Sequence, residues 1–313
     1  MQNKTLVLLK FFCVVFLPLL SGCYSFSYQP SQITFASDEE TVPLTVNDDR
    51  FVAEIMVNGT GPHRFLVDTG NSGVEIFDTL ADKLKLQTSP WQTTQMTPFG
   101  TFTAVTVQLS RAESIQWGST VFRGTGALVR SRMSSQEKDV EGIIGFGLLE
   151  NVVWTFDGPG KRVILRRPAK VLSTAGFGNE LPMRLFAGLP VIRASIADES
   201  TSQTWPVELI VDTGNSSGIP NFLLPVALQD KIPHLPISID GEAATAKGAV
   251  DVRSTMLTAT LTIGNEQFSR PTVAYVQVPL GGVGASVLKH YVITFDAARS
   301  RMWMRRQSPV VMQ

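Results

Sequence analysis

The chain has 313 residues, of which 43% are hydrophobic and 17% charged, so it can form about two folded domains and is not a disordered polymer. Its 27 basic and 27 acidic side chains cancel, and no run of Lys or Arg provides the local positive field that nucleic-acid binding requires. Three widely separated histidines and two cysteines make no recognisable zinc or iron–sulfur spacing, so neither a metal nor an organic cofactor is expected.

The first 23 residues are typical of an exported lipoprotein. A basic start precedes the apolar run 11–20, which is too short for a comfortable membrane span. The run ends in the sequence LSGC (residues 20–23), which resembles the bacterial lipobox and implies that Cys23 is lipidated. We predict a signal peptide over residues 1–22 and a flexible polar tether over residues 23–40. An ordinary signal peptide with a chance cysteine is the alternative.

The lipobox resemblance also implies a location. Tyr24, at the second mature position, is not the Asp that retains lipoproteins in the inner membrane. The expected location is therefore the bacterial cell envelope, at the outer membrane facing the periplasm. Cys13 leaves with the signal peptide, so the mature chain has no disulfide and depends on core burial for its stability.

From about residue 41 onward, short runs alternate apolar and polar residues between turn-forming residues. Residues 101–109 and parts of 252–263 are examples, and period two over such lengths predicts half-buried antiparallel strands. Helices are predicted only at residues 78–86, with Asp78 as the N-cap, and at residues 225–231. The fold class is therefore mainly β.

Two sequence landmarks occur twice, in the same order. The first is RFLVDTGNS (residues 64–72), which recurs as ELIVDTGNS (208–216). The second is EGIIGFGLLENVVWTFD (141–157), which aligns without gaps and with seven identities on LGGVGASVLKHYVITFD (280–296). Two landmarks at nearly equal spacing predict two homologous lobes.

The boundaries of the lobes follow from the repeat. The first lobe is predicted over residues 41–170, the second over residues 186–313, and an interlobe linker over residues 171–185. If the lobes pack about a pseudo-twofold axis, equivalent residues near that axis meet, as they do in a symmetric dimer.

Each copy of the Asp-Thr-Gly sequence places an Asp at the end of a buried strand. A single copy is more typical of an ordinary turn, but two lobes about one axis bring Asp68 and Asp212 face to face. Two carboxylates that close share one proton and titrate as a coupled pair. Such a pair can activate a water molecule for hydrolysis of an amide without a covalent intermediate.

These motifs resemble the retropepsin/pepsin-like aspartic peptidases over about residues 45–305. The resemblance implies two retropepsin-like lobes of the closed antiparallel β-barrel type, related by a pseudo-twofold axis, with Asp68 and Asp212 as catalytic residues. It also implies that the two Thr side chains hydrogen-bond across the junction. The residues expected to support the dyad are Thr69, Gly70, Asn71, Thr213, Gly214 and Asn215.

Three features depart from the family pattern. The residues after the two glycines are Asn, where many members have Ser or Ala, and an Asn side chain can donate to the outer carboxylate oxygen. The strand that threads beneath the catalytic loop is Ile143-Ile144-Gly145 in the first lobe, but residues 282–284 are a degraded version. The flap is predicted at residues 97–100, with Phe99 and Gly100 in place of the Tyr found in pepsins.

The sequence therefore predicts a membrane-anchored, monomeric aspartic endopeptidase that cleaves a peptide or protein substrate. One alternative is a non-catalytic lipoprotein on the same fold that binds a peptide or an envelope partner. Another is a serine hydrolase, because residues 214–218 fit the pattern G-x-S-x-G and His290 lies downstream. That reading requires a strand, a sharp turn and a helix within a parallel sheet.

Overall fold

The computed structural model describes residues 27–95, 103–132, 137–169, 173–216, 222–245 and 248–307. The strands of the first half are β1 (Gln32–Thr34), β2 (Glu39–Pro43), β3 (Thr45–Asn47), β4 (Arg50–Val57), β5 (Thr60–Asp68), β6 (Val74–Phe77), β7 (Thr88–Gln95), β8 (Thr103–Trp117), β9 (Thr120–Arg130), β10 (Gly142–Gly145), β11 (Val153–Asp157) and β12 (Arg162–Arg166). Those of the second half are β13 (Asn179–Phe186), β14 (Leu189–Asp198), β15 (Gln203–Asp212), β16 (Phe222–Pro225), β17 (Ser238–Thr245), β18 (Gly248–Met256), β19 (Thr260–Ile263), β20 (Glu266–Ser269), β21 (Thr272–Val276), β22 (Gly281–Gly284), β23 (Tyr291–Asp296) and β24 (Arg301–Arg306).

Helices are short, as the sequence predicts. They are α1 (Asp78–Lys83), α2 (Phe146–Leu149) and α3 (Ala285–Leu288), with 3-10 helices at Val226–Leu228 and Ala297–Arg299. Within the described ranges, no helix is long and apolar enough to cross a membrane. The fold is mainly β, and the fold-class prediction is confirmed.

The first lobe is a sheet in which the strands follow the order β1-β9-β6-β10-β5-β4-β8-β7, with β3 paired to β4. Large apolar side chains from neighbouring strands are fully buried against one another, among them Phe51, Phe65, Ile76 and Phe122. Each contributes about 1.5–3 kcal/mol by leaving water. This burial fixes the register of the strands that carry the site, because a slip of one residue would expose the whole apolar face.

The second lobe repeats this arrangement. Its strands follow the order β17-β18-β21-β16-β22-β15-β14-β13, with β19 on β14 and β20 on β19. In the first lobe β10 lies between β5 and β6, and in the second β22 lies between β15 and β16, in each case parallel to one neighbour and antiparallel to the other. The two sequence repeats therefore correspond to two structural repeats.

Strands from both halves join in a sheet of the order β2-β12-β11-β23-β24-β13. At its centre β11 pairs with β23, and Thr155 lies opposite Thr294 with their Oγ1 atoms 2.8 Å apart. The rings of Trp154 and Phe295 stack beside them with centroids 4.6 Å apart. The second sequence landmark thus builds the junction of the lobes, and equivalent residues meet there as the pseudo-twofold axis requires.

Two predicted boundary segments contain strands. The segment predicted as a tether, residues 23–40, includes β1 and the start of β2, and the segment predicted as a linker, residues 171–185, includes most of β13. The tether and linker interpretations were wrong for these parts. The physical reason is that β1, β2 and β13 satisfy their backbone groups by pairing with β9, β12, β14 and β24, a long-range gain that local polarity does not reveal.

Local predictions need smaller corrections. Helix α1 begins at Asp78, and Phe77 is its N-cap, so Asp78 is the first helical residue and not the cap. The helix predicted at residues 225–231 is reduced to the 3-10 helix Val226–Leu228, and the run 252–263 divides into β18 and β19. His63 is buried on β5, where its Nδ1 lies 3.1 Å from Glu141 Oε2.

Candidate active site

The two Asp-Thr-Gly copies occupy equivalent positions at the ends of two strands. Asp68 ends β5 and lies opposite Gly145 of β10, and Asp212 ends β15 and lies opposite Gly284 of β22. The residues directly before the two Asp residues, Val67 and Val211, are buried and anchor them, and a backbone hydrogen bond from Asn71 N to Asp68 O (3.2 Å) closes the first turn. Each carboxyl group is therefore held by a strand embedded in its own lobe.

The glycines of the two turns bring the carboxyl groups to the lobe junction. A Cβ atom on Gly70 would overlap the carboxyl group of Asp212, and a Cβ atom on Gly214 would overlap that of Asp68. Each turn therefore packs against the carboxyl group of the opposite lobe, and only glycine leaves room for it. The structure brings Asp68 and Asp212 together, as the duplication predicts.

The two threonines bind each other's loops. Thr69 Oγ1 donates to Val211 O (2.6 Å) and accepts from Thr213 N (3.0 Å). In the same way, Thr213 Oγ1 donates to Val67 O (2.8 Å) and accepts from Thr69 N (3.0 Å). Both side chains are fully buried, so these four reciprocal hydrogen bonds fix one loop relative to the other.

Backbone amides of each turn bind the carboxyl group of the same turn. Gly70 N donates to Asp68 Oδ1 at 2.8 Å, and Gly214 N and Asn215 N both donate to Asp212 Oδ1 at 3.0 Å. Asp212 thus has two such donors, whereas Asp68 has one. Since donors favour the ionised form, this difference favours the proton on Asp68.

The pKa values of the two groups agree with this difference. Burial, followed by the charge of Asp212 and the hydrogen bond to it, raises the pKa of Asp68 well above its ordinary value. Burial also raises the pKa of Asp212, but its hydrogen bonds to Asp68, Asn215 and Gly214 act in the opposite direction. The geometry therefore provides one carboxyl group that holds a proton and one that releases it more readily.

The asparagine side chains do not have the role that the sequence suggests. Asn71 Nδ2 donates to Glu75 Oε1 (2.8 Å), and its Oδ1 accepts from Gly73 N (2.9 Å). Asn215 contributes its backbone N–H to Asp212, and its Nδ2 has no hydrogen-bond partner among the described residues. The donation to the outer carboxylate oxygens that an Asn side chain can make is not seen among the described residues, because Asn71 Nδ2 is engaged by Glu75 and backbone amides donate to the carboxylates.

The strand beneath each loop is present in both lobes. Gly145 N donates to Gly73 O and Phe146 N to Asn71 O, and Ala285 N makes the equivalent bond to Asn215 O, each at 2.8 Å. The degraded sequence at residues 282–284 thus forms the same threading strand as its first-lobe counterpart. The weakened motif reflects a change of side chains and not of backbone course.

Two predicted sites lie outside the described residues. These are the flap residues Phe99 and Gly100 and the lipidation site Cys23. The strands on either side of the flap, β7 and β8, pair as far as Gln95 and Thr103.

Three residues near the first loop were not predicted from the sequence. Glu75 and Arg130 form an ion pair beneath it, and the ring of Tyr28 packs where a Cβ of Gly73 would lie. A signal exists for Glu75, since it interrupts the buried strand sequence VEIF. Tyr28 gave none, because nothing in a polar segment of low periodicity tells which residue contacts a loop 45 positions away.

The arrangement around Ser216 differs from that of a serine hydrolase. After β15 and residues 217–221, which are outside the description, the chain continues into strand β16 and not into a helix. Strand β15 is paired with β22 in parallel but with β14 in antiparallel orientation. The strand–turn–helix in a parallel sheet, which this alternative requires, is not formed by the described residues.

The donor set of the site is composed of carboxyl, amide and hydroxyl groups. Within the described ranges, no group of three or more His, Cys, Asp or Glu side chains is placed to hold a metal ion.

Comparisons with known proteins point to a similar family and a similar fold. Residues 53–148 match the family model of an aspartyl protease. The structure is similar to the aspartic proteinase from Irpex lacteus with a TM-score of 0.55 at 14% sequence identity, covering 88% of this chain and 99% of that one. No curated protein matches the sequence. The resemblance to the retropepsin/pepsin-like aspartic peptidases is confirmed, and family and fold together support a peptidase role.

Proposed function

We propose that this protein is an aspartic endopeptidase that cleaves peptide bonds with a water molecule activated between Asp68 and Asp212. The observation that carries the proposal is the reciprocal packing of each carboxyl group against the glycine turn of the opposite lobe. A buried acidic pair of this kind lowers the stability of the fold, and its presence therefore favours a functional role.

The chemistry follows from the unequal pair. Asp212, which has more hydrogen-bond donors, is the ionised partner and removes a proton from the water. The oxygen of the water attacks the peptide carbonyl while protonated Asp68 donates its proton to the carbonyl oxygen, giving a neutral tetrahedral diol. The diol then collapses: Asp212 gives its new proton to the amide nitrogen, Asp68 takes a proton from one diol hydroxyl, the C–N bond breaks, and a carboxylic acid and an amine leave.

The test is hydrolysis of a mixed peptide library by the purified protein without its first 26 residues, with products identified by mass spectrometry. We expect cleavage within the peptides and tight binding of a peptide mimic that carries a hydroxyl group at the scissile position. The Asp68→Asn and Asp212→Asn variants are the matched controls. Binding of the peptides without any cleavage would instead indicate a non-catalytic binding protein on this fold.

We further propose that Cys23 carries the lipid anchor and that the protein faces the periplasm from the outer membrane. The support is the lipobox resemblance of residues 20–23 and the absence of Asp at position 24. Cys23→Ser should move the protein from the membrane fraction to the soluble fraction and abolish labelling by a fatty-acid analogue. Recovery of unlabelled wild-type protein in the soluble fraction would contradict this proposal.

A single chain should be sufficient for activity. Each lobe supplies one Asp, and the central sheet of β11 and β23 already joins the lobes. The specific activity of the lipid-free protein should therefore be constant on dilution, whereas an enzyme completed by a second chain loses activity by mass action. A specific activity that falls with concentration would argue against the monomer.

A further inference from the structure

A chain of polar contacts runs from the first catalytic loop into the body of the lobe. Asn71 Nδ2 donates to Glu75 Oε1 at 2.8 Å, and Arg130 Nε donates to Glu75 Oε2 at 2.5 Å. Arg130 also donates from Nη2 to Glu137 Oε1 at 2.8 Å and from Nη1 to Glu137 Oε2 at 3.1 Å. The side chains of Glu75 and Arg130 are only 12% and 11% exposed, so the pair is held in one geometry with little screening by solvent.

Among the described residues of the second lobe, the position equivalent to Glu75 carries no charge. On the threading strands, Glu75 lies opposite Ile143 and Leu223 lies opposite Gly282, and the sequence repeats align Ile143 with Gly282. Leu223 is therefore the structural equivalent of Glu75, and it is a buried apolar residue with 4% exposure. The lobes thus share their backbone but differ at this position by one negative charge.

The ionisable groups that face Glu75 come from several elements. Arg130 approaches from β9, with Glu137 on its far side, Tyr28 lies on the N-terminal segment, and Asp68 ends β5. The charge of Glu75 is among the causes that raise the pKa of Asp68, and it is absent from those that act on Asp212. Together with burial, the same charge also raises the pKa of the Tyr28 phenol.

We propose that Glu75, positioned by Asn71 and Arg130, adds to the inequality that the backbone donors give the dyad and further favours the shared proton on Asp68. Glu75 is a positioning residue in this scheme, since it acts through the loop and through its charge and does not touch the substrate. The proposal rests on the proposed function for its use in catalysis, but the asymmetry itself is a property of the folded protein and can be measured without a substrate.

The experiment is a titration of the Asp side chains by NMR, with ¹³C-labelled aspartate and resonances assigned from Asp68→Asn and Asp212→Asn. Glu75→Gln removes the charge with little change of size, and Glu137→Gln is the matched control because it removes a carboxylate from the same arginine without contacting Asn71. Glu75→Gln should lower the titration midpoint of Asp68 by roughly 0.5–1 pH unit, since Arg130 already screens part of the charge. The midpoint of Asp212 should change much less, and Glu137→Gln should leave both nearly as in the wild type.

The rate of peptide cleavage against pH gives a second readout. The alkaline limb of the profile reports loss of the proton from Asp68, so Glu75→Gln should move this limb to lower pH while the acid limb stays in place. If Glu75→Gln does not fold, Asn71→Ser breaks the bridge without unpairing Arg130, and it should shift Asp68 in the same direction by a smaller amount.

The outcomes separate the two proposals. The role of Glu75 would be overturned if the titration midpoint of Asp68 were unchanged in Glu75→Gln and in Asn71→Ser. It would also be overturned if both Asp residues shifted equally, even if the wild type cleaves peptides. A selective shift of Asp68 in a protein that cleaves nothing would support the asymmetry and count against the peptidase proposal alone.

Discussion

The two catalytic loops have the same backbone and different surroundings. Both end a buried strand, both rest on a threading strand, and their threonines exchange the same hydrogen bonds. Around the first loop lie Glu75, Arg130 and Tyr28, whereas Leu223 occupies the position equivalent to Glu75 in the second lobe. Reciprocal backbone contacts at the axis therefore require both loops to be alike, whereas side chains away from the axis can differ between the lobes.

The threading strands show the same contrast. Strand β10 has the sequence GIIG and β22 has GGVG, yet both pair with the strand that carries the Asp in the same register. The glycine that ends each strand is required because it packs against the backbone of the catalytic loop. The second position does not require glycine, since the nearest atoms to a Cβ on Gly282 would all belong to the Leu223 side chain, with Cδ1 closest at 3.4 Å.

The largest expected effect is the loss of enzyme activity when the Asp of either lobe is replaced. Asp68→Asn and Asp212→Asn should each lower kcat/KM by at least about 10³-fold, because the remaining Asp has no partner in the complementary protonation state. The double variant should lose little more, as is usual for residues that act as a unit. Steady-state kinetics on a cleaved peptide measure this, and near wild-type turnover in Asp212→Asn would exclude the two-Asp mechanism.

The threonine exchange should also be symmetric. Thr69→Val or Thr213→Val leaves a buried backbone N–H and a buried C=O of the opposite lobe without partners, so each should lower the free energy of unfolding by about 2–4 kcal/mol. Because the loops are then no longer fixed to each other, kcat should fall by about tenfold or more. Denaturant unfolding and kinetics provide the measurements.

The control for this prediction is Thr69→Ser, which keeps the hydroxyl group and should retain most of the stability and activity. Equal losses in the Ser and Val variants would mean that methyl packing, and not the hydrogen bonds, holds the loops together.

The pH dependence of stability should distinguish the two Asp residues. Both pKa values are raised in the folded state, so the favourable contribution of each group is complete below the unfolded pKa of about 3.9 and is lost as the pH rises through the raised folded value. Asp68→Asn cannot ionise and should gain stability relative to wild type on going from pH 4 to pH 8, on the order of 1 kcal/mol or roughly 2–4 °C in Tm.

Asp212→Asn should gain less, because two backbone amides stabilise the ionised form of Asp212, whereas one stabilises that of Asp68. Thermal melts of the three proteins at several pH values test this order. A larger gain for Asp212→Asn would reverse the assignment of the proton within the pair.

The glycines of the threading strands should give a graded series that ends in the smallest expected effect. Gly145→Ala should lower both stability and activity strongly, since the new methyl group would overlap Gly73 O and lie 2.5 Å from Asn71 O. Gly284→Ala should cost less, because the nearest atom, Asn215 O, would lie 2.8 Å away. Gly282→Ala should be neutral or stabilising by about 0.5 kcal/mol, because it removes chain entropy of the unfolded state without a clash. Differential scanning calorimetry of the three variants gives the order.

Much of the site could be read from the sequence because it depends on local or repeated signals. The Asp-Thr-Gly copies and the second landmark each occur twice, and a duplication implies an axis at which equivalent residues meet. The predicted contacts of Thr69 with Thr213 are present for this reason. The strand character of most of the chain likewise follows from period-two patterns that local sequence carries.

What only the tertiary structure decided depends on partners far away in sequence. The strands β1, β2 and β13 form in segments that appear polar and irregular, because their hydrogen-bond partners lie in β9, β12, β14 and β24. Asn71 donates to Glu75 and not to a carboxylate of the dyad, since Arg130, 55 residues beyond Glu75, holds that side chain beneath the loop. The sequence by itself determined the features that both lobes share, because the motifs that form them occur twice in the chain. The features that differ between the lobes were decided by tertiary packing, because a buried charge takes its position from partners that no local pattern identifies.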